Sequence, residues 1–338
     1  MGTGPAGRLT GFAAGEAFLI IVTGGAGFIG SCMVSKLNRL GRDDIVVVDS
    51  LGRSDKWQNL RHLAFADYLD KSQLHAFLAN NTDIEAIVHM GACSATTETD
   101  AHYLMENNYR YTLELARHAL ESGVRMIYAS SAATYGDGSL GYEDDEDTIH
   151  ELRPLNMYGY SKQLFDLKAR REGWFQHLAG LKFFNVYGPN EYHKGAMTSV
   201  VYNAFHQIAG TGSVNLFKSH HPDYEDGGQQ RDFVYVQDAV DVMAFLLEHP
   251  EVNGLFNLGT GRARCFRDLA LAVFAALEKE PRIVYVDMPV HLRDRYQYFT
   301  RADMSKLHAC GYEGEATSLE AGVADYVRNY LTRGLARY

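Results

Sequence analysis

Runs of β-branched and aromatic residues recur along the chain at Phe18–Thr23, Ile45–Val48, Ala86–His89, Met126–Ser130, Leu181–Tyr187 and Leu255–Leu258. Between them the apolar period lengthens. In the stretch 104–120, Leu104, Tyr111, Leu115 and Ala119 fall near 3.6-residue spacing, which predicts a helix. Strands alternating with helices predict an α/β, doubly wound parallel sheet covered on both faces. After Tyr187 the alternation weakens, and the polar stretch 218–230, rich in His, Asp, Gly and Gln, reads as a surface loop carrying substrate-specific structure. The acidic run Glu143–Asp147 reads as a solvated turn.

At 338 residues the chain suits one large α/β domain or two sharing a core, because single cores stop growing near ~250–300 residues. A formal net charge of -10 argues against a protein whose main work is neutralising a phosphate backbone. Cys32, Cys93, Cys265 and Cys310 are isolated, without metal-ligand spacing, as expected of free thiols in the reducing cytoplasm and of a protein with no structural metal. No apolar run approaches the ~20 residues that span a bilayer. Residues 1–18, rich in Gly and Ala, are expected to form a flexible extension.

The first strand is followed by GGAGFIG, with Gly24, Gly27 and Gly30 at three-residue spacing before a helical pattern. Such glycines allow a tight turn and let a pyrophosphate sit against the N–H groups of a helix start. The second strand ends at Asp49, whose carboxylate suits an adenosine ribose and so favours NAD, while Arg53 and Lys56 just beyond it suit the extra phosphate of NADP. The residues leave that choice open. The segment Met90, Gly91, Ala92, Cys93, Ser94 follows the third run, where small residues let backbone lie against the middle of a cofactor, with Asn107 as a brace from the next helix. Cys93 reads as a buried small hydrophobe and not a nucleophile.

In NMYGYSK, Tyr158 and Lys162 are four residues apart and share a helix face. A cationic Lys162 near the phenol would favour phenolate and lower the tyrosine from its usual ~10, making Tyr158 a usable acid or base. Tyr160 is expected to point elsewhere and pack. Ser131, at the end of the strand in YASSAATYG, would give its hydroxyl to the reacting oxygen; Ser130 is the second choice.

GGAGFIG, SSAATYG and YGYSK, in this order, resemble the extended short-chain dehydrogenase family of nucleotide-sugar epimerases and dehydratases. The resemblance implies a Rossmann cofactor domain, a smaller α/β substrate-binding domain and a Ser131, Tyr158, Lys162 triad. It places the NADP-binding domain at 19–186 with 232–258 and about 296–304, and the substrate domain at 187–231, 259–295 and 305–338. Dehydratases of the family carry an Asp-Glu pair where this chain has Ala132 and Ala133, and methyl groups cannot exchange protons. Epimerisation is therefore expected.

ADYLDK, GACSATTETD, FNVYGPNEYHKGAM, RDFVYVQD, FNLGTGRA and RYQYFT are similar to the family's ADP-heptose 6-epimerase branch. That resemblance implies an ADP-heptose substrate, NADP, a homo-oligomer (a pentamer) and a second base at Lys194. It implies cofactor contacts at Phe28, Ile29, Ser50, Lys56, Lys71, Met90 to Ser94, Asn107 and Lys162. It implies substrate contacts at Asn185, Val186, Ala196, Asn203, Phe217, Lys218, Ser219, His220, Arg231 and Tyr296. Arg231 also stands on its own chemistry, since its planar fork suits paired phosphate oxygens, unless Asp232 or another acid holds it. The chain departs from the branch at Ser50 (for Asn), Met90 (for Glu), Ala196 (for Ser) and Asn203 (for His), and 221–230 is lengthened. The competing readings are a UDP-hexose 4-epimerase with NAD, an outright dehydrogenase, and a catalytically silent NAD(P)-sensing binding protein.

Overall fold

The computed structural model describes residues 18–293 and 296–338. The extension expected for residues 1–18 lies, Phe18 apart, outside them.

The first half of the chain runs β1 (Leu19–Thr23), α1 (Phe28–Arg39), β2 (Ile45–Asp49), β3 (Asp67–Asp70), α2 (Leu74–Asn80), β4 (Ile84–His89), α3 (Ala101–Leu104), α4 (Tyr111–Ser122) and β5 (Arg125–Ser131). It continues through α5 (Met157–Arg171), β6 (Leu178–Phe183), β7 (Asn185–Tyr187), α6 (Val200–Thr211), β8 (Val214–Phe217) and β9 (Gln230–Tyr235). Then follow α7 (Val236–Glu248), β10 (Gly254–Leu258), β11 (Ala263–Cys265), α8 (Phe266–Ala276) and β12 (Ile283–Val286).

Seven of these strands form one parallel sheet in the order β10-β6-β5-β4-β1-β2-β3. The chain winds outward from β1 to β3, then returns to β4 on the other side of β1. Right-handed crossovers therefore put helices on both faces, and ligands gather where the order reverses, at the carboxyl ends of β1 and β4. The central strands bury every residue of Ile20–Thr23 and Ile45–Asp49.

Three features of the strands and helices depart from the sequence expectation. The edge strand β3 has Asp at both ends and no buried residue, so it lacks the apolar signature of the others. The run expected at Leu181–Tyr187 divides at Phe184, whose N–H donates to Leu258 O (3.1 Å) while β7 leaves the main sheet to pair with β9. The helix expected over 104–120 contains a π-turn, Met105–Arg110, between α3 and α4; the wider turn re-phases the helix, and Asn108 lies buried within it.

The acidic run is a solvated turn only in part: Glu143, Asp145 and Asp147 are exposed, but Asp144 and Glu146 turn to the sheet. Asp144 is buried and its Oδ2 accepts from Asn257 N (2.6 Å), while Glu146 Oε1 accepts from Leu255 N (2.9 Å) and Lys306 Nζ (2.7 Å). β10 is the sheet's edge, and these carboxylates take the N–H groups that no further strand is there to take.

Outside the main sheet, β9 lies between β7 and β11, and β8 pairs with β12. With α6 and α8, the strands β7, β8 and β9 bound the cavity described next. Among the described residues no helix is long and apolar enough to cross a membrane.

Candidate active site

The glycine turn is built on close backbone approach. Gly24 has φ +65°, and a Cβ there would stand 2.7 Å from the Gly91 backbone; a Cβ on Gly30 would stand 2.1 Å from Gly24 O. The α1 N-cap is Gly27, with no side-chain cap, so the first-turn N–H groups of a 12-residue helix are left for an anion. The cradle fits a dinucleotide pyrophosphate.

Asp49 ties this turn to β2. Its Oδ2 accepts from Ala26 N (3.0 Å), and its Oδ1 from Ser50 N (2.7 Å) and Lys56 Nζ (2.6 Å). Of a carboxylate's roughly four lone pairs, one on Oδ2 remains for a ribose hydroxyl. Lys56 neutralises the carboxylate, so a phosphate beside it would not meet bare negative charge. Arg53 is exposed.

His89 couples β4 to β1 and α4. Thr112 Oγ1 donates to Asn108 O (2.5 Å), so it can only accept from His89 Nε2 (2.8 Å), which leaves Nδ1 to accept from Thr23 Oγ1 (2.6 Å). The ring is neutral: burial, and then the charge of Lys162, push it down to about 3. Thr23 Oγ1 also accepts from Gly91 N (3.2 Å), which holds the segment 90–94 at the cofactor turn.

The brace of that segment is Asn108, not Asn107. Asn108 Oδ1 accepts from Cys93 N (2.8 Å), and its Nδ2 donates to Cys93 O (3.0 Å) and Ser161 Oγ (3.1 Å). The π-turn decides this by rotating Asn108 inward; Asn107 Oδ1 accepts from Lys71 Nζ (2.7 Å). Cys93 is half-buried, not a core residue.

A cavity of about 630 Å³ opens beside this cradle, and Ser131, Tyr158 and Lys194 all face it, with Phe28, Ile29, Ser94, Ala132 and Ala133. Asn156 caps α5, its Oδ1 accepting from Gly159 N (2.8 Å), which sets the helix start that carries Tyr158. Gly159 is required there, since a Cβ would stand 2.7 Å from Ala133 O. Lys162 is buried one turn on and donates to Ala129 O (2.8 Å). Burial pushes Lys162 down to about 8, against the opposing charge of Asp166. Burial also raises Tyr158, with the Ser131 hydroxyl working the other way, so the shift runs opposite to the lowering expected from Lys162. Ser130 Oγ donates to Asp166, and Tyr160 is exposed instead of packed.

Lys194 lies in the turn Tyr192–Met197, its ammonium 5.3 Å from the centre of the Phe28 ring. Burial lowers it below an ordinary lysine, opposed by Glu191. Glu191, which the sequence reading missed, is fully buried and holds the turn to α6 by accepting from Ser199 N (2.5 Å) and Ser199 Oγ (2.6 Å).

At the far end, Asn185, Val186, Ala196, Phe217, Arg231 and Tyr296 line the same cavity. Arg231 is buried between rings, 5.1 Å from the centre of Tyr296 and 5.6 Å from that of Phe266, and donates to Gln230 O (2.8 Å). Asp232 is committed to Thr260, Gly261 and Ala302, and among the described residues no carboxylate pairs with Arg231. A buried guanidinium without a counter-ion is a strong anion site.

Asn203, Lys218, Ser219 and His220 are not among the cavity's walls. Asn203 is exposed and bonds Thr198 O and Ser199 O just before its own helix; Lys218 pairs with Asp287 (3.3 Å); Ser219 and His220 make loop contacts to Asp226 and Tyr298. Gln229 and Phe266 do line it, from positions with no motif to mark them, and so does Thr300, the last residue of RYQYFT.

The model of the "NAD dependent epimerase/dehydratase family" matches residues 20–259. The chain belongs to this family. Among its curated relatives, the ADP-L-glycero-D-manno-heptose-6-epimerase of Nitratidesulfovibrio vulgaris is 58% identical over 316 residues, covering 93% of this chain and 98% of that one. That of Fusobacterium nucleatum is 50% identical over 327 residues, with 93% and 98% covered. The solved structure of the Helicobacter pylori ADP-L-glycero-D-manno-heptose-6-epimerase superposes with a TM-score of 0.78 at 25% identity, covering 93% of this chain and 96% of that one. As an epimerase of this family the chain is an isomerase with a Rossmann fold.

Proposed function

We propose that the chain is an ADP-glyceromanno-heptose 6-epimerase, converting ADP-D-glycero-β-D-manno-heptose to the L-glycero epimer for the inner core of lipopolysaccharide. The observation that carries this reading is that two proton-handling groups, Tyr158 and Lys194, face one cavity between the glycine turn and the buried Arg231. One group on each side of a substrate carbon suits inversion, where a one-way oxidation needs a single base.

The chemistry that a nicotinamide dinucleotide would supply here, when bound, is reversible hydride transfer at C6″ with no net redox change. The turn 24–30 would hold its pyrophosphate and Asp49 its ribose. Lys56, already paired with Asp49, supports NADP by supplying positive charge for a 2′-phosphate. Arg231 would clamp the substrate diphosphate with its fork. Tyr158 Oη and Lys194 Nζ would each take the C6″ hydroxyl proton in one direction and give it back in the other. For that, Lys194 must be neutral part of the time, and its burial favours the neutral amine. Ser131 would hold the oxygen during the transfer, and Lys162 would supply positive charge behind Tyr158. A cytoplasmic homopentamer completes the reading, on the resemblance alone.

The test is NMR of the purified enzyme with ADP-D-glycero-β-D-manno-heptose and no added cofactor, with mass spectrometry of the nucleotide released on denaturation. Conversion at C6″ without net NADPH formation, and NADP as the released nucleotide, are expected. No conversion by enzyme that carries nicotinamide would refute the substrate.

A further inference from the structure

Behind Ser131 and Lys162 lies a group of charges that never meets the cavity. Asp166 on α5 and Lys182 on β6 are both fully buried, Oδ2 and Nζ 3.1 Å apart. The carboxylate also accepts from Ser130 Oγ (2.6 Å) and Tyr128 OH (2.8 Å), and Lys182 Nζ donates to Thr134 Oγ1 (2.6 Å). Ser130 and Lys182 are register partners on adjacent strands, and Gly180 makes room for the Tyr128 ring, since a Cβ there would stand 2.5 Å from it.

Burying an ion pair gains little stability over well-packed apolar residues, so its place in the site matters more than its strength. Tyr128 and Ser130, the two residues that Asp166 grips on β5, stand on either side of Ala129. Ala129 O is the acceptor for the Lys162 ammonium, and Ser131 is the next residue after Ser130. Thr134 belongs to the turn whose Ala132 and Ala133 wall the cavity. One buried carboxylate thus anchors the strand end that presents Ser131, the carbonyl that seats Lys162, and the helix that carries Tyr158.

We propose that Asp166 is a positioning residue for the epimerisation, clamping β5 through Tyr128 and Ser130 so that Ser131, Tyr158 and Lys162 keep one mutual geometry. The activity part of this rests on the epimerase reading above. Asp166 also lies one helical turn from Lys162, and its charge opposes the loss of the Lys162 proton that burial promotes. The other titratable groups that interact with Lys162 are neutral His89 on β4 and Cys93 in the following loop, and Tyr158 lies one turn back on α5.

The test is Asp166→Asn, which keeps the shape and removes the charge. Titration of carbon-13-labelled lysine by NMR, with Lys162 assigned through Lys162→Met, is expected to show Lys162 losing its proton at lower pH than in the wild type. With substrate, kcat is expected to fall roughly tenfold or more, KM to stay within about twofold, and the alkaline limb of kcat to move to lower pH. A folded Asp166→Asn protein with wild-type titration and kcat overturns the proposal. If Asp166→Asn does not fold, the double variant Tyr128→Phe with Ser130→Ala leaves the ion pair intact and decides instead: a fall in kcat at constant KM supports the clamp, and wild-type kcat overturns it. A wild-type enzyme inactive on the heptose would sink the substrate reading alone, because the Lys162 titration needs no substrate.

Discussion

Lys194 and Phe28 meet across the cavity, the ammonium 5.3 Å from the ring centre, although Phe28 opens the first helix and Lys194 lies in a turn after β7. The contact puts a half-buried cation beside the cofactor turn, on the wall of the cavity that Tyr158 also lines. It turns a lysine in a loop into a second candidate base.

Tyr158→Phe and Lys194→Met are each expected to slow epimerisation by about 10²–10⁴-fold, the ordinary contribution of a positioned acid or base. The double variant is expected to show no turnover while retaining its nicotinamide. Rates by NMR at C6″ and nucleotide content by absorbance check this; a fully active Lys194→Met enzyme would reduce the account to one base.

The pH profile follows from the two lysines. Lys162 is a cation below about 8 and neutral above it, so a reaction that uses its charge loses rate as pH rises through that value. Lys194, lowered by burial, acts as a base only when neutral, so its contribution rises with pH from the acid side. The result is a bell-shaped kcat profile. A rate still climbing at the ordinary lysine value of ~10.4 would contradict the role given to Lys162.

Gly30→Ala is expected to abolish nucleotide retention, because its Cβ would stand 2.1 Å from Gly24 O in rigid backbone. Overpacking of this kind costs about 1–3 kcal/mol, which calorimetry would register as a Tm lower by several degrees. Retained nucleotide at wild-type Tm would mean that the turn yields.

Arg231→Met removes the unpaired guanidinium from between Tyr296 and Phe266. Losing hydrogen bonds to a charged group costs about 1.5–3 kcal/mol, so ADP should bind roughly 10- to 150-fold more weakly by calorimetry. Unchanged ADP affinity would move the diphosphate elsewhere.

Much of the site was legible because it is local. A glycine turn, a Tyr and Lys four apart and a strand-end serine are each set by a few consecutive residues, and the alternation of apolar runs predicted the doubly wound sheet. The sequence by itself determined the fold class and marked out the candidate cofactor cradle and the candidate reacting groups. It could not decide whether Asn107 or Asn108 braces the Cys93 segment, because a π-turn moves the helix phase by less than any apolar period reveals. Nor could it show that Asp144 and Glu146 guard a sheet edge, since a buried carboxylate and a solvated one are the same letter. Tertiary structure alone decided that Arg231 is free of Asp232, that burial raises Tyr158 against the pull expected of Lys162, and that Asp166 stands behind Ala129. Desolvation and hydrogen-bond satisfaction depend on what the whole chain brings around a group, and that is settled only when distant segments pack.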